Sequence, residues 1–120
     1  MDISNSEKDV FFVAFKDGEL VGTANYVTST NKRMSHRGEI GMSIQKSAWG
    51  IGIGSLLMEK LLDFAKDIAK ADIVSLEVRS DNQRAINLYK KFGFEKIGCF
   101  KRYFKINNEL IDFDIMEKFF

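Results

Sequence analysis

Residues 49–55, Trp-Gly-Ile-Gly-Ile-Gly-Ser, run straight into Leu56-Leu57-Met58-Glu59-Lys60-Leu61-Leu62, and this junction constrains the chain more than any other stretch. Three alternate glycines strip the backbone of side-chain bulk just before a segment of helical periodicity. Apolar residues at 57, 61, 64, 65 and 68 trace one face of a helix expected from Ser55 to Lys70. A helix N-terminus carries unpaired N–H groups and the positive end of the helix dipole. A bare backbone there suits phosphate or pyrophosphate. The same turn also serves simply to pack a helix closely on a strand, and a short glycine pattern alone does not separate the two uses.

Two common phosphate-binding patterns fail on spacing. The triphosphate loop ends in Gly-Lys-Ser/Thr, whereas Gly54 is followed directly by Ser55. The dinucleotide fingerprint needs a third glycine where Ser55 or Leu57 stands. A second segment narrows the choice. From Asn82 to Phe94 the periodicity is helical and closes on Gly93, a residue suited to a left-handed cap. Asn82 and Tyr89 lie nearly two turns apart and share a face with Ala85, so an amide, a small residue and a phenol could line a slot for a thin ligand. A tyrosine packed with its hydroxyl at the surface is the plainer alternative.

Together the two segments resemble the GNAT family of N-acetyltransferases. The family's pyrophosphate loop, Gln/Arg-x-x-Gly-x-Gly/Ala, is matched by Trp49-Gly50-Ile51-Gly52-Ile53-Gly54. Its later pattern, Asn-x-x-Ala-x-x-Leu-Tyr-x-Lys-x-Gly-Phe, is met by Asn82, Ala85, Leu88, Tyr89, Lys91, Gly93 and Phe94. The likeness covers about residues 10 to 119. It implies acetyl-CoA as co-substrate, bound by the loop residues Trp49 to Gly54 with Ser55, and by Asn82, Ala85 and Tyr89. It also implies that the pantetheine arm lies against Met42, Ser43 and Ile44, in a gap between two splayed strands, almost like an added strand.

Two departures stand out. Trp49 replaces the usual Gln or Arg, so a charged or amide side chain beside the phosphates is lost. The family also begins with a strand and one or two helices, for which this chain has only about nine residues before its first hairpin. An α/β fold is expected, a mixed, largely antiparallel sheet flanked by helices, with those first elements absent. The hairpin at 10–27 would then be an exposed sheet edge, open to pairing as a homodimer.

The rest of the chain fits one domain, residues 1–120. β-rich runs at 10–15 and 20–27 flank a turn at 16–19, residues 28–36 are polar, and further strands are expected at 39–44 and 73–78. A long hairpin closes the chain, turning at Asn107-Asn108. Net charge +1 offers no field for nucleic acid, and no apolar run approaches a membrane span, so a cytoplasmic location is the default expectation. Cys99 lies in an apolar alternating stretch and reads as a small buried side chain, and His36, the sole histidine, reads as a solvated loop residue. Neither has the companions a metal site needs, and no metal is expected.

Acyl transfer to an amine needs a proton acceptor, an oxyanion holder and a proton donor for the leaving thiolate. Tyr89 is the candidate donor, and Glu39, at the start of a strand, is the candidate base if it faces the cleft rather than solvent. Asp112 and Asp114 alternate onto one strand face and could draw a cationic substrate, although paired acids there are more often solvated. The acceptor implied is an amine on a small molecule, peptide or protein. A non-catalytic CoA-binding module and a nucleotide-binding protein of another kind are the alternatives.

Overall fold

A computed structural model describes residues 2–6 by their backbone and residues 9–120 in full. β1 (Asp2–Ser6), β2 (Asp9–Lys16), β3 (Glu19–Thr28) and β4 (Arg37–Ile44) form an antiparallel meander. Asp17 and Gly18, with φ of 52° and 82°, make the left-handed two-residue turn that a right-twisted hairpin favours between β2 and β3. The chain then crosses over through α1 (Ile53–Asp63) to β5 (Ile73–Arg79), which lies parallel to β4. A helical crossover is what a parallel pair requires. After α2 (Gln83–Lys91), β6 (Glu95–Ile106) and β7 (Glu109–Phe119) form the closing hairpin, turning at Asn107 and Asn108, both left-handed. The sheet order is β1-β2-β3-β4-β5-β7-β6.

Both helices pack on one face of this sheet. Their buried residues, Leu57, Met58 and Leu61 of α1 with Ile86 and Tyr89 of α2, join Tyr26, Ile40, Val74, Leu76 and Met116 in a single core. By alternation, Phe11 of β2 and Glu39 of β4 lie on the other face, and both are exposed. Among the described residues no helix covers that face.

Two expectations need correction. The N-terminal strand is present: Asp2 and Ile3 pair with Phe12 and Phe11, so β1 lies along the edge of β2 that was expected to be open. Only two residues separate β1 from β2, which leaves no length for a helix between them. The helix expected to run evenly to Lys70 instead loosens into a π-turn at Phe64–Ile68, where Ala69 N–H donates to the Phe64 carbonyl at 2.9 Å. The wider turn leaves Ala65 and Ala69 in the core and turns Ile68 outward.

Candidate active site

β4 and β5 share only three register pairs, Arg37–Ile73, Gly38–Val74 and Glu39–Ser75. Beyond Glu39 the two strands part, although β4 continues to Ile44 and β5 to Arg79. A cleft of about 460 Å³ opens over this split, walled by Met42, Ser43 and Ile44 on one side and by Asn82, Ala85 and Tyr89 of the α2 segment on the other. Its floor is the glycine-rich loop with the start of α1.

That loop is shaped by two glycines in left-handed backbone, Gly50 with φ of 80° and Gly52 with φ of 90°. Gly52 is the residue that caps α1, and no side chain bonds the helix's first N–H groups there. A Cβ on Gly52 would meet nothing within 4 Å, so the space beside this residue is open, and Ile53, Gly54 and Ser55 at the start of α1 line the cleft. Gly54 has a different role. A Cβ there would approach the Ile44 and Leu88 side chains at 3.1 Å, so this glycine lets α1 sit close to both β4 and α2.

Tyr89 is placed by the end of α2. Phe94 N–H donates to the Tyr89 carbonyl at 3.1 Å and Gly93 N–H to the Lys90 carbonyl at 3.0 Å, with Gly93 at φ of 92°. This is a Schellman closure, and its usual apolar contact is here the Phe94 ring against the Tyr89 ring at 6.0 Å. The ring is largely buried, and burial pushes its phenol above the ordinary value near 10, which keeps the proton on the oxygen. Asn82 caps α2, its Oδ1 accepting the Ala85 N–H at 3.2 Å. Part of its amide is therefore committed to the helix.

Trp49, Gly50, Gly52, Ile53, Gly54 and Ser55 all line the cleft. Ile51 does not; its side chain is half exposed on the outer side of the loop. Glu39 does not either. It lies on the helix-free face, in a second cleft of about 410 Å³ with Arg37, Thr28 and Ser75. Being the last β4 residue paired to β5, Glu39 stands at the root of the split, on the opposite side of the sheet from Tyr89.

The acidic pair is not free. Asp114 is buried, accepts the Ser80 hydroxyl at 2.6 Å and faces Lys96 at 3.6 Å. Asp112 accepts the Arg102 N–H at 2.8 Å, which holds its carboxyl below the usual carboxylate range. Cys99 is half-buried beside Ser80, and His36 is exposed. Among the described residues no three His, Cys, Asp or Glu side chains gather as a metal site would, and no helix is long and apolar enough to cross a membrane.

One cleft residue of evident chemistry was not read from the sequence. Arg84, in the first turn of α2, lines the cleft beside Gly50. Its position between Asn82 and Ala85 of the second motif was the available signal.

The chain matches the sequence model of the Acetyltransferase (GNAT) family over residues 2–94, and it belongs to that family. It is 33% identical over 100 residues to the L-amino acid N-acetyltransferase AaaT of Escherichia coli, an alignment covering 83% of this chain and 62% of that protein. An N-alpha-acetyltransferase of Sulfurisphaera tokodaii is 33% identical over 102 residues, covering 78% and 61%. The chain thus spans about three fifths of the length of these relatives. The crystal structure of a GNAT-family acetyltransferase from Streptococcus pneumoniae superposes with a TM-score of 0.89 at 32% identity, covering 97% of this chain and 70% of that one.

Proposed function

We propose that this chain is the catalytic domain of an acetyl-CoA-dependent N-acetyltransferase that acts on a primary amine. The observation that carries the reading is the convergence, in one cleft, of a helix N-terminus with no side-chain cap, a strand edge freed by the β4–β5 split, and a buried tyrosine. The first suits a pyrophosphate, the second an extended amide-bearing arm, and the third a leaving thiolate. Bound acetyl-CoA would supply an activated acyl group as its thioester.

The chain's own part is to position, to hold charge and to move protons. The N–H groups at 53–55 would hold the phosphates, and Met42 to Ile44 would pair through their backbone with the pantetheine amides. A strand N–H not bonded to β5 would face the oxyanion. Tyr89, kept protonated by burial, would donate its proton to the sulfur and regain it from solvent. Glu39, at the root of the split, would take the proton of an amine entering from the helix-free face, directly or through water. The relatives' names, an L-amino acid N-acetyltransferase and an N-alpha-acetyltransferase, point to an L-amino acid or another alpha-amino group as the acceptor.

The position of Glu39 favours one competing reading, a module that binds CoA without catalysis, because an acceptor on that face would meet no covering helix among the described residues. Release of free CoA thiol from acetyl-CoA, followed over a panel of amines, separates the two. Thiol release that needs both enzyme and amine supports the enzyme. CoA binding with no release across amino acids, polyamines and peptides would favour the module.

A further inference from the structure

Resting on the CoA reading of the cleft, one further question is which side chain meets the phosphates. Trp49 cannot serve as a cation, and its single donor is spent: the indole Nε1–H bonds the Ile44 carbonyl at 3.1 Å. That bond fixes the ring as a platform. The Arg84 guanidinium lies over it, its central carbon 4.7 Å from the ring centroid. Nη2 of Arg84 would stand 3.8 Å from a Cβ on Gly50, so the group overhangs the glycine loop.

The electrostatics around this guanidinium are uncompensated. Neither α1 nor α2 has an acidic residue in its first turn, and Arg84 occupies the first turn of α2, where the helix dipole disfavours a cation. Among the described residues it makes no hydrogen bond or ion pair. Two helix N-termini and an unpartnered guanidinium thus face one cleft with no counter-charge. A guanidinium stacked by its face also keeps its in-plane N–H donors free, and these match two oxygens of a phosphate.

We propose that Arg84, presented by the Trp49 ring, is the side chain that receives the pyrophosphate, and that the pair replaces a cation carried by the loop itself. The test is calorimetric affinity for CoA and for dephospho-CoA, which lacks the 3′-phosphate but keeps the pyrophosphate. Arg84→Gln should weaken both about 10- to 100-fold, the scale of a charge-assisted hydrogen bond. Arg84→Lys should recover only part, since an ammonium neither stacks nor bonds bidentately. Trp49→Leu should weaken binding less than Arg84→Gln, and the double variant no more than Arg84→Gln alone. Trp49→Arg placed in the Arg84→Gln background should restore most of the affinity by returning the charge to the loop.

Arg84→Gln binding both ligands within twofold of wild type would overturn the proposal while leaving the CoA reading intact. A loss seen with CoA but absent with dephospho-CoA would overturn it too, moving Arg84 to the 3′-phosphate. Wild-type protein that binds neither ligand would remove the CoA reading and this inference together.

Discussion

At the scale of single residues, conformation and charge can be tested separately at Gly52. Its φ of 90° taxes any side chain, but the open space above it would admit one. Asparagine tolerates left-handed backbone best among residues with side chains, so Gly52→Asn measures the conformational cost and Gly52→Asp adds only charge. The aspartate variant should bind CoA about tenfold more weakly than the asparagine variant, with similar melting temperatures, by calorimetry and calorimetric melting. Equal affinities would show that no anion sits above the loop. If Tyr89 has the role proposed for it, Tyr89→Phe should lower turnover about tenfold to a thousandfold while CoA affinity stays nearly constant, since only a late proton donor would be lost. Burial raises the phenols of both Tyr89 and Tyr26. The unfolded chain therefore releases these protons near pH 10 while the fold retains them, so stability is full below about pH 10 and falls as pH rises beyond it. Melting temperatures from pH 8 to 11 should drop less steeply in Tyr89→Phe.

How much of this was legible in the sequence differs residue by residue. That Gly52, Asn82 and Tyr89 line one cleft was legible because short-range spacing marks the glycine turn before α1 and sets Asn82 and Tyr89 on one face of the α2 segment. Arg84 was missed because its meaning comes from a ring on another element, a contact that periodicity does not encode. Period-two alternation put Glu39 opposite Ile40, but it could not tell which face of the sheet the helices would cover. Asp114 read as solvated because strand alternation does not reveal that Ser80 arrives beside it.

At the scale of elements, the closure of α2 links stability to the site. Gly93→Ala forces a side chain into φ of 92° and toward the Lys118 amine, at a cost of about 1–2 kcal/mol by the left-handed penalty. Because the same closure bonds the Tyr89 carbonyl and seats Phe94 on its ring, turnover should fall by more than the loss of folded protein explains. Chemical denaturation and kcat measured on one sample check this, and a kcat unchanged per folded molecule would uncouple the cap from the tyrosine. The hairpins were legible because Asp17-Gly18 and Asn107-Asn108 are turn residues between apolar runs. The π-turn was not, since the apolar residues at 64, 65 and 68 fit an even helix equally well and the core decided between them. β1 escaped notice because Asp-Ile-Ser-Asn-Ser has no strand pattern of its own and is extended only by pairing with β2.

For the whole molecule, the family-level architecture follows from the order of strands and helices, which the sequence displays, whereas the sheet face that no described helix covers follows from the two-residue connection between β1 and β2. The two halves of the sheet are also tied by an ion pair. Arg37 of β4 reaches across to Glu117 of β7, a buried carboxylate. Arg37→Met would strand that charge while Arg37 itself is partly exposed, so a loss near the lower end of the usual range, about 3 kcal/mol, is expected from urea unfolding. Arg37→Met with Glu117→Gln should regain part of it, and additive losses would show that the pair is not coupled.

The short β4–β5 contact has a mechanical meaning as well. Four strands on one side and three on the other are joined along a seam of three residue pairs, so the sheet behaves as two plates meeting at a short weld. An arm lying in the split would extend that weld by bonding the free edge of β4, which would make the proposed co-substrate a strut as well as a reactant. Amide hydrogen exchange should then slow on CoA binding along Ile40–Ile44 and also along Leu76–Arg79 on the facing plate, since each plate is held by the other.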